Sequence, residues 1–176
     1  MTDPDELVVL LDDDGTPIGT APKATVHTEE TPLHLAFSCH LRDPEGRLLV
    51  TRRALSKRTW PGVWTNSFCG HPAPGEDMEG AIARRANDEL GVTVTDLRLV
   101  LPGFRYRAVD ASGIVENEIC PVYEAVTLDP VQPDPDEVAE HRWIDGGDLE
   151  VAVSMAPWAF SPWLNLQLVE LASARA

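Results

Sequence analysis

Hydrophobic residues first gather at Glu6–Leu11, which reads as a strand. A turn at Asp14-Gly15, a second short strand at Ile18–Ala21 and a loop follow. Loose alternation over His34–Arg42 predicts a strand, Asp43-Pro44-Glu45-Gly46 a turn, and Arg47–Arg53 a returning strand, so this stretch reads as a hairpin. Residues 54–75, rich in Trp, Gly, Pro and Asn, read as a long ordered loop of the kind that usually carries function. The period changes at Glu76–Leu90, where Met78, Ile82, Ala86 and Leu90 recur on one face of a helix that Gly91 stops. Val92–Leu101 and Phe104–Val109 are strand-like, Ala111-Ser112-Gly113 is a turn, and Ile119–Leu128 is a strand rich in β-branched residues. A Pro/Asp loop at Asp129–Asp134, a last strand at Glu140–Ile144 and a helix over Trp158–Ser173 complete the pattern. Hairpins with two helices predict an α/β fold, a sandwich around a mixed sheet.

The chain of 176 residues, 43% hydrophobic and 24% charged, is the size of one domain (residues 1–176), with Met1–Asp5 and the last few residues expected to be flexible. A net charge of −15 argues against nucleic acid or an anionic membrane as partner. No leader or membrane span is expected: the longest apolar-rich stretch, Val151–Val169, is broken by Pro157 and Pro162. Three cysteines, Cys39, Cys69 and Cys120, are an odd number without a framework spacing, which fits free thiols in a reducing cytoplasm. Of oligomeric states, a monomer is favoured.

Charge is unevenly spread. Between Gly46 and Gly75 there is no Asp or Glu, in a chain that has 29, while Arg47, Arg52, Arg53, Lys57 and Arg58 all fall there. A focused basic patch in an acidic protein is suited to a small, highly charged anion such as a diphosphate. Trp60, Trp64 and Phe68, interleaved with it, argue against a merely solvated face.

Gly70-x5-Glu76-x7-Arg84, continuing through Asp88-Glu89-Leu90-Gly91-Val92, resembles the Nudix signature over all of its positions. The resemblance implies a Nudix-type α/β/α sandwich, in which a loop–helix unit presents carboxylates on one helix face to a Mg2+ that bridges them to pyrophosphate. Arg85 stands where Nudix hydrolases carry a metal-binding Glu, and Asp88 replaces another acid. The hydrolytic cluster therefore reads as dismantled, with diphosphate affinity retained. Glu76 is balanced between a functional acid and a helix-surface one.

Three histidines and two carboxylates could form an octahedral site. His27 and His34 lie before and at the start of a strand, His71 follows the basic loop, and Glu116 and Glu118, two apart, share one face of an extended segment. Such ligands suit Mn2+, Zn2+ or Mg2+. His40 and His141 read as structural, Cys39 and Cys120 as small buried hydrophobes, and Arg52 and Arg84 as structural cations.

The segment Thr65-Asn66-Ser67-Phe68-Cys69-Gly70-His71-Pro72 is the most specific. Together with Thr51–Lys57, Trp60–Trp64, Gly113–Glu118 and Trp158–Trp163, it resembles the type I isopentenyl-diphosphate isomerase family from about residue 6 to residue 166. The resemblance implies a 1,3-proton shift that converts isopentenyl to dimethylallyl diphosphate in isoprenoid biosynthesis, without flavin or nucleotide. It implies Cys69 and Glu118 as the acid/base pair, their order left open, with Tyr106 hydrogen-bonded to Glu118 and Trp163 facing the cationic carbon. A metal on His27, His34, His71, Glu116 and Glu118 is implied as well. The diphosphate would be held by Lys23, Arg53, Lys57 and Arg85 and by a second Mg2+ through Glu89. A Nudix hydrolase and a non-catalytic diphosphate-binding module are the rival readings. Arg85 and Asp88 speak against the first; the pairing of Cys69 with Glu118, which a pure binder does not need, speaks against the second.

Overall fold

The computed structural model describes residues 6–175, so the expected flexible tail Met1–Asp5 lies outside the described residues. The elements in chain order are β1 (Leu7–Leu11), β2 (Pro17–Pro22), α1 (Lys23–Val26), β3 (His34–Leu35), β4 (Phe37–Arg42), β5 (Leu48–Arg53), β6 (Trp64–Thr65), β7 (Phe68–Gly70) and α2 (Met78–Leu90). They continue with β8 (Thr95–Leu101), β9 (Arg105–Val109), β10 (Val115–Ile119), β11 (Val122–Val126), β12 (Val138–Ile144), α3 (Gly146–Met155), a 3-10 turn at Pro157–Ala159 and α4 (Pro162–Arg175). Among the described residues no helix is long and apolar enough to cross a membrane.

Two sheets form. The five-stranded one runs β2-β1-β3-β10-β9, and the seven-stranded one runs β12-β5-β4-β11-β8 with β6 beside β5 and β7 beside β4. Both are mixed, because β3 and β10 pair parallel in one, and β4 and β11 parallel in the other. The expected strand His34–Arg42 is two strands belonging to different sheets. The chain changes sheet at Ala36, and its partner changes beside it at Cys120-Pro121, where the Ala36 amide donates to Ile119 O and the Ser38 amide to Pro121 O. For the same reason the expected strand Ile119–Leu128 is only β11, and β10, whose charged alternation gave no hydrophobic signal, precedes it. Cys120 thus sits between strands rather than within one.

Other corrections follow the same physics. The loop 54–75 contains β6 and β7, which are too short to show a period. The loop expected before His27 contains α1. The helix expected from Glu76 begins at Met78, because Asp77 caps it: its Oδ1 accepts from the Gly80 amide at 2.8 Å. Gly91, at φ 65°, ends that helix in the left-handed conformation a side chain resists. Instead of two helices there are four among the described residues. α3 escaped the pattern because only Leu149 and Val153 of it are buried. The terminal helix begins at Pro162 rather than Trp158 and runs to Arg175, so the C-terminal end expected to be flexible is helical that far.

The seven-stranded sheet is covered on both faces. Ala81, Ile82, Ala86 and Leu90 of α2 pack on Phe37, Cys39, Leu41 and Leu49. On the opposite face Leu48 and Val50 meet Leu149 and Val153 of α3 and Leu164 and Leu168 of α4. The period-2 alternation of β5 makes this possible, Leu49 feeding one core and Leu48 and Val50 the other, while β4 gives Phe37, Cys39 and Leu41 to the α2 side and polar Ser38 and His40 to the opposite face. A third apolar cluster, with Leu101, Phe104, Tyr106, Val122 and Trp163, lies against the mouth of the cavity described next.

Candidate functional site

A cavity of about 510 Å3 opens among α1, β7, α2, β10 and the loops after β5 and before β12; Cys69, Glu118, Tyr106, Trp163 and the basic side chains all line it. Strand register builds its centre. Glu118 is opposite His34 across the parallel β3/β10 pair and opposite Tyr106 across the antiparallel β9/β10 pair. One carboxylate is therefore flanked by an imidazole on one side and a phenol on the other. Tyr106 Oη donates to Glu118 Oε2 at 3.0 Å. Burial, reinforced by the Glu118 charge, pushes the phenol pKa well up, so it remains a donor.

His27, His34, His71 and Glu118 offer ligand atoms that all lie within 4.8 Å of one another. Glu116 stands outside this group of four but touches it, its Oε2 being 3.1 Å from His27 Nε2. His34 Nδ1 donates to Pro32 O at 2.9 Å, which in the neutral ring leaves Nε2 as a bare lone pair, 3.4 Å from Glu118 Oε1. His27 Nε2 and His34 Nε2 are buried without a hydrogen-bond partner. Buried lone pairs facing carboxylate oxygens repel unless a cation lies among them, so the donor set fits a metal ion. Burial pulls the His71 imidazole down to about 4 despite its 3.1 Å contact with Glu118, keeping it neutral and able to ligate. Burial alone would raise the Glu118 carboxyl; the two imidazoles set against it, His34 and His71, outweigh burial and hold the group well below the usual range.

Cys69, in β7, is half-buried in the cavity wall. Its Sγ donates to Asn66 Oδ1 at 3.3 Å, and burial pushes the thiol up to about 12, so the sulfur keeps its proton at rest. Trp163 Nε1 donates to the same Asn66 oxygen at 3.0 Å. The Arg53 guanidinium carbon lies over the Trp163 ring at 5.4 Å from its centroid, so the indole already takes a cation.

The anion end is more heavily paired than its charge map implied. Arg47 turns away to Asp43, and Arg52 binds Glu140, so neither belongs to the patch. Arg53, Lys57 and Arg58 line the cavity with Lys23 and Arg85, which come from α1 and α2. Lys57 is hydrogen-bonded to Glu137, and Arg85 to Glu89. Burial alone would lower Arg85; Glu89 and Glu137 outweigh it and raise it. Arg85 Nε is buried with no partner, an N–H that fits an anionic oxygen. Gly70 makes room for this arginine: a Cβ there would lie 2.8 Å from Arg85 Cγ and from Phe37 Cζ. Of the three interleaved aromatics, Phe68 lines the cavity from the α2 core, Trp64 packs with the α3 and α4 residues, and Trp60 stands edge-on to the cavity residue Trp163 at 5.4 Å. Glu76 is bound by Arg84 at 2.8 Å from both of its oxygens and is not part of the cavity wall.

All the expected site residues line the cavity except His34, which reaches the ligand group from beneath its wall, and of the five ligands expected for the first metal only Glu116 stands outside the group of four. Thr59, Asn66 and Glu137 join them without having been expected to. Thr59 Oγ1 donates to Glu116 Oε1 at 2.7 Å. Asn66 lies within the most specific segment, so its neighbourhood was a signal; Thr59 and Glu137 sit in loops with no period and gave none.

A NUDIX domain model matches residues 32–164. The chain is 69% identical over 163 residues to the isopentenyl-diphosphate Delta-isomerase of Clavibacter sepedonicus, covering 93% of this chain and 86% of that protein. It is 65% identical to the protein of the same name from Leifsonia xyli, covering 99% and 95%. Among solved structures, a Deinococcus radiodurans protein superposes with TM-score 0.73 at 20% identity over 94% of this chain and 99% of that one, a likeness of fold.

Proposed function

The chain belongs to the isopentenyl-diphosphate Delta-isomerase family within the NUDIX fold, and we propose a division of labour among the residues of its cavity. It is an isomerase of isoprenoid biosynthesis, interconverting isopentenyl and dimethylallyl diphosphate. The reaction needs an acid and a base on either side of a five-carbon allylic unit, because protonating the alkene makes a tertiary carbocation and removing a different proton makes the isomer. Cys69 and Glu118 are those two groups, one giving a proton while the other takes one, and their roles exchange with direction. What supports this reading is that Glu118, set by register between His34 and Tyr106, lines the same cavity as the protonated Cys69 thiol.

Tyr106 donates to Glu118 and steadies its charge. Trp163 offers its ring to the carbocation, a contact worth about 2 kcal/mol when desolvated. Lys23, Arg53, Lys57 and Arg85 bind the diphosphate, and Glu89 would share a Mg2+ with it. His27, His34, His71 and Glu118, with Glu116 alongside, would hold Mn2+, Zn2+ or Mg2+. Bound there, the ion would fix the carboxylate and bias its protonation. The apolar wall of Phe104, Tyr106 and Trp163 excludes the water that would hydrate a carbocation. Three free thiols support a cytoplasmic setting.

Arg85, salt-bridged to Glu89 where hydrolases have a carboxylate, speaks against hydrolysis. The test is incubation with isopentenyl diphosphate in deuterated water. The parent gives deuterated dimethylallyl diphosphate; Cys69→Ala and Glu118→Gln give none while still binding diphosphate. Normal turnover by either variant refutes its assignment.

A further inference from the structure

Behind Cys69, on the side away from substrate, runs a chain of polar side chains shut off from water. Ser38, His40, Asn66 and Gln167 are each 2% exposed or less. Antiparallel register puts Ser38 of β4 directly opposite Cys69 of β7, with Oγ 3.2 Å from Sγ and 3.4 Å from Cys120 Sγ. Gln167 of α4 donates through Nε2 to Ser38 Oγ at 2.8 Å, and its Oε1 is 2.9 Å from His40 Nε2. Such a fully buried network, reaching across the sheet from helix to thiol, serves no need of the apolar core it interrupts.

The Gln167 amide sets its direction. With its N–H2 on Ser38, its Oε1 faces His40 Nε2 and accepts from the tautomer that carries a proton there. Ser38 then accepts from Gln167, leaving its single O–H for a sulfur. Asn66 Nδ2 donates to Cys39 O and Phe68 O, so Asn66 presents its oxygen to Cys69 and accepts from its S–H, alongside Trp163 Nε1 and Thr65 Oγ1. The Cys69 sulfur is left with lone pairs toward Ser38, at the shorter of the two Ser38–sulfur distances. His40 also borders a second cavity, on the α4 side of the sheet with Leu48 and Leu168. An amide does not pass protons on, so the chain orients the thiol and does not conduct to it.

We propose that Ser38 is a positioning residue for the isomerisation: its hydroxyl, aimed by Gln167 and His40, donates to Cys69 Sγ and holds that sulfur in the rotamer facing the substrate. A cysteine side chain has three staggered wells, and two of them would turn the sulfur from the alkene. The donor also stays in place to meet the negative charge when the proton leaves, which is where fixed dipoles help most. The inference rests on the reading of Cys69 as an acid/base group.

The test uses metal-loaded protein carrying Ser38→Ala, Gln167→Met, both together, and Cys69→Ala as reference. Ser38→Ala lowers kcat about tenfold to a hundredfold with KM within about twofold. Gln167→Met, which keeps the hydroxyl but frees it to turn, loses less, and the double variant loses no more than Ser38→Ala. The Cys69 S–H infrared band, assigned by difference against Cys69→Ala, moves in each variant. An unmoved band, or kcat unchanged in Ser38→Ala while Cys69→Ala is inactive, overturns the inference and leaves the Cys69 assignment standing. Full turnover by Cys69→Ala overturns both. If Ser38→Ala does not fold, Gln167→Met decides by the same band and the same kcat criterion.

Discussion

Tyr106→Phe removes one O–H and little else. The Tyr106 ring is 8% exposed and is held by Phe104 at 5.9 Å and Trp163 at 5.7 Å between ring centroids, contacts that a phenyl ring keeps. What goes is the 3.0 Å donation to Glu118 Oε2. A hydrogen bond to a charged group contributes about 1.5–3 kcal/mol net. If all of it is at stake when Glu118 exchanges its proton, kcat falls by about tenfold to a hundredfold. KM stays within about twofold, because the diphosphate is held at the other end of the cavity. The direction on pH is fixed too. A carboxylate that has lost a donor binds its proton more tightly, so the acid limb of the kcat profile moves to higher pH. The measurement is steady-state conversion of isopentenyl diphosphate across pH with metal content checked in both proteins. A kcat within about twofold of the parent, or a loss confined to KM, refutes the argument that this phenol acts through Glu118.

Removing metal with a chelator abolishes turnover and lowers the thermal midpoint, and readdition of Mn2+, Zn2+ or Mg2+ restores both; an unchanged midpoint would show that the four-residue cluster binds no ion. Metal affinity, measured by calorimetry, falls as pH drops, because protonated imidazoles cannot ligate: burial would lower His34 but Glu118 raises it, so it takes its proton before His71, which burial pulls down to about 4. Gly70→Ala forces its Cβ onto Arg85 and Phe37 and costs about 1–3 kcal/mol in urea unfolding, with weaker diphosphate binding by titration. Ile82→Ala, emptying a fully buried position of α2, costs about 2–5 kcal/mol in urea unfolding and leaves KM of the surviving folded enzyme unchanged.

Much of the site is legible in the sequence, because ligand and acid/base residues sit in short segments with specific order: Phe68-Cys69-Gly70-His71, and Glu116 and Glu118 two apart on one face. The α2 helix is legible as well, since its 3.6-residue period and Gly91 stop are local, although the pattern places its start two residues early at Glu76, ahead of the Asp77 cap. The change of sheet at Ala36 and Cys120-Pro121 is not, nor is α3, because those depend on partners distant in the chain.

By itself the sequence determined residue chemistry and local geometry: which carboxylates share a strand face, which helix carries Arg85 and Glu89, which short segment holds the thiol beside His71. Only the tertiary structure decided pairing. It set His34, Glu118 and Tyr106 side by side across three strands, sent Arg47 and Arg52 to carboxylates outside the cavity, gave Lys57 to Glu137, and put Ser38 behind Cys69. The physical reason is that alternation along a strand is written in neighbouring residues, whereas register between strands depends on the whole core settling into one packing.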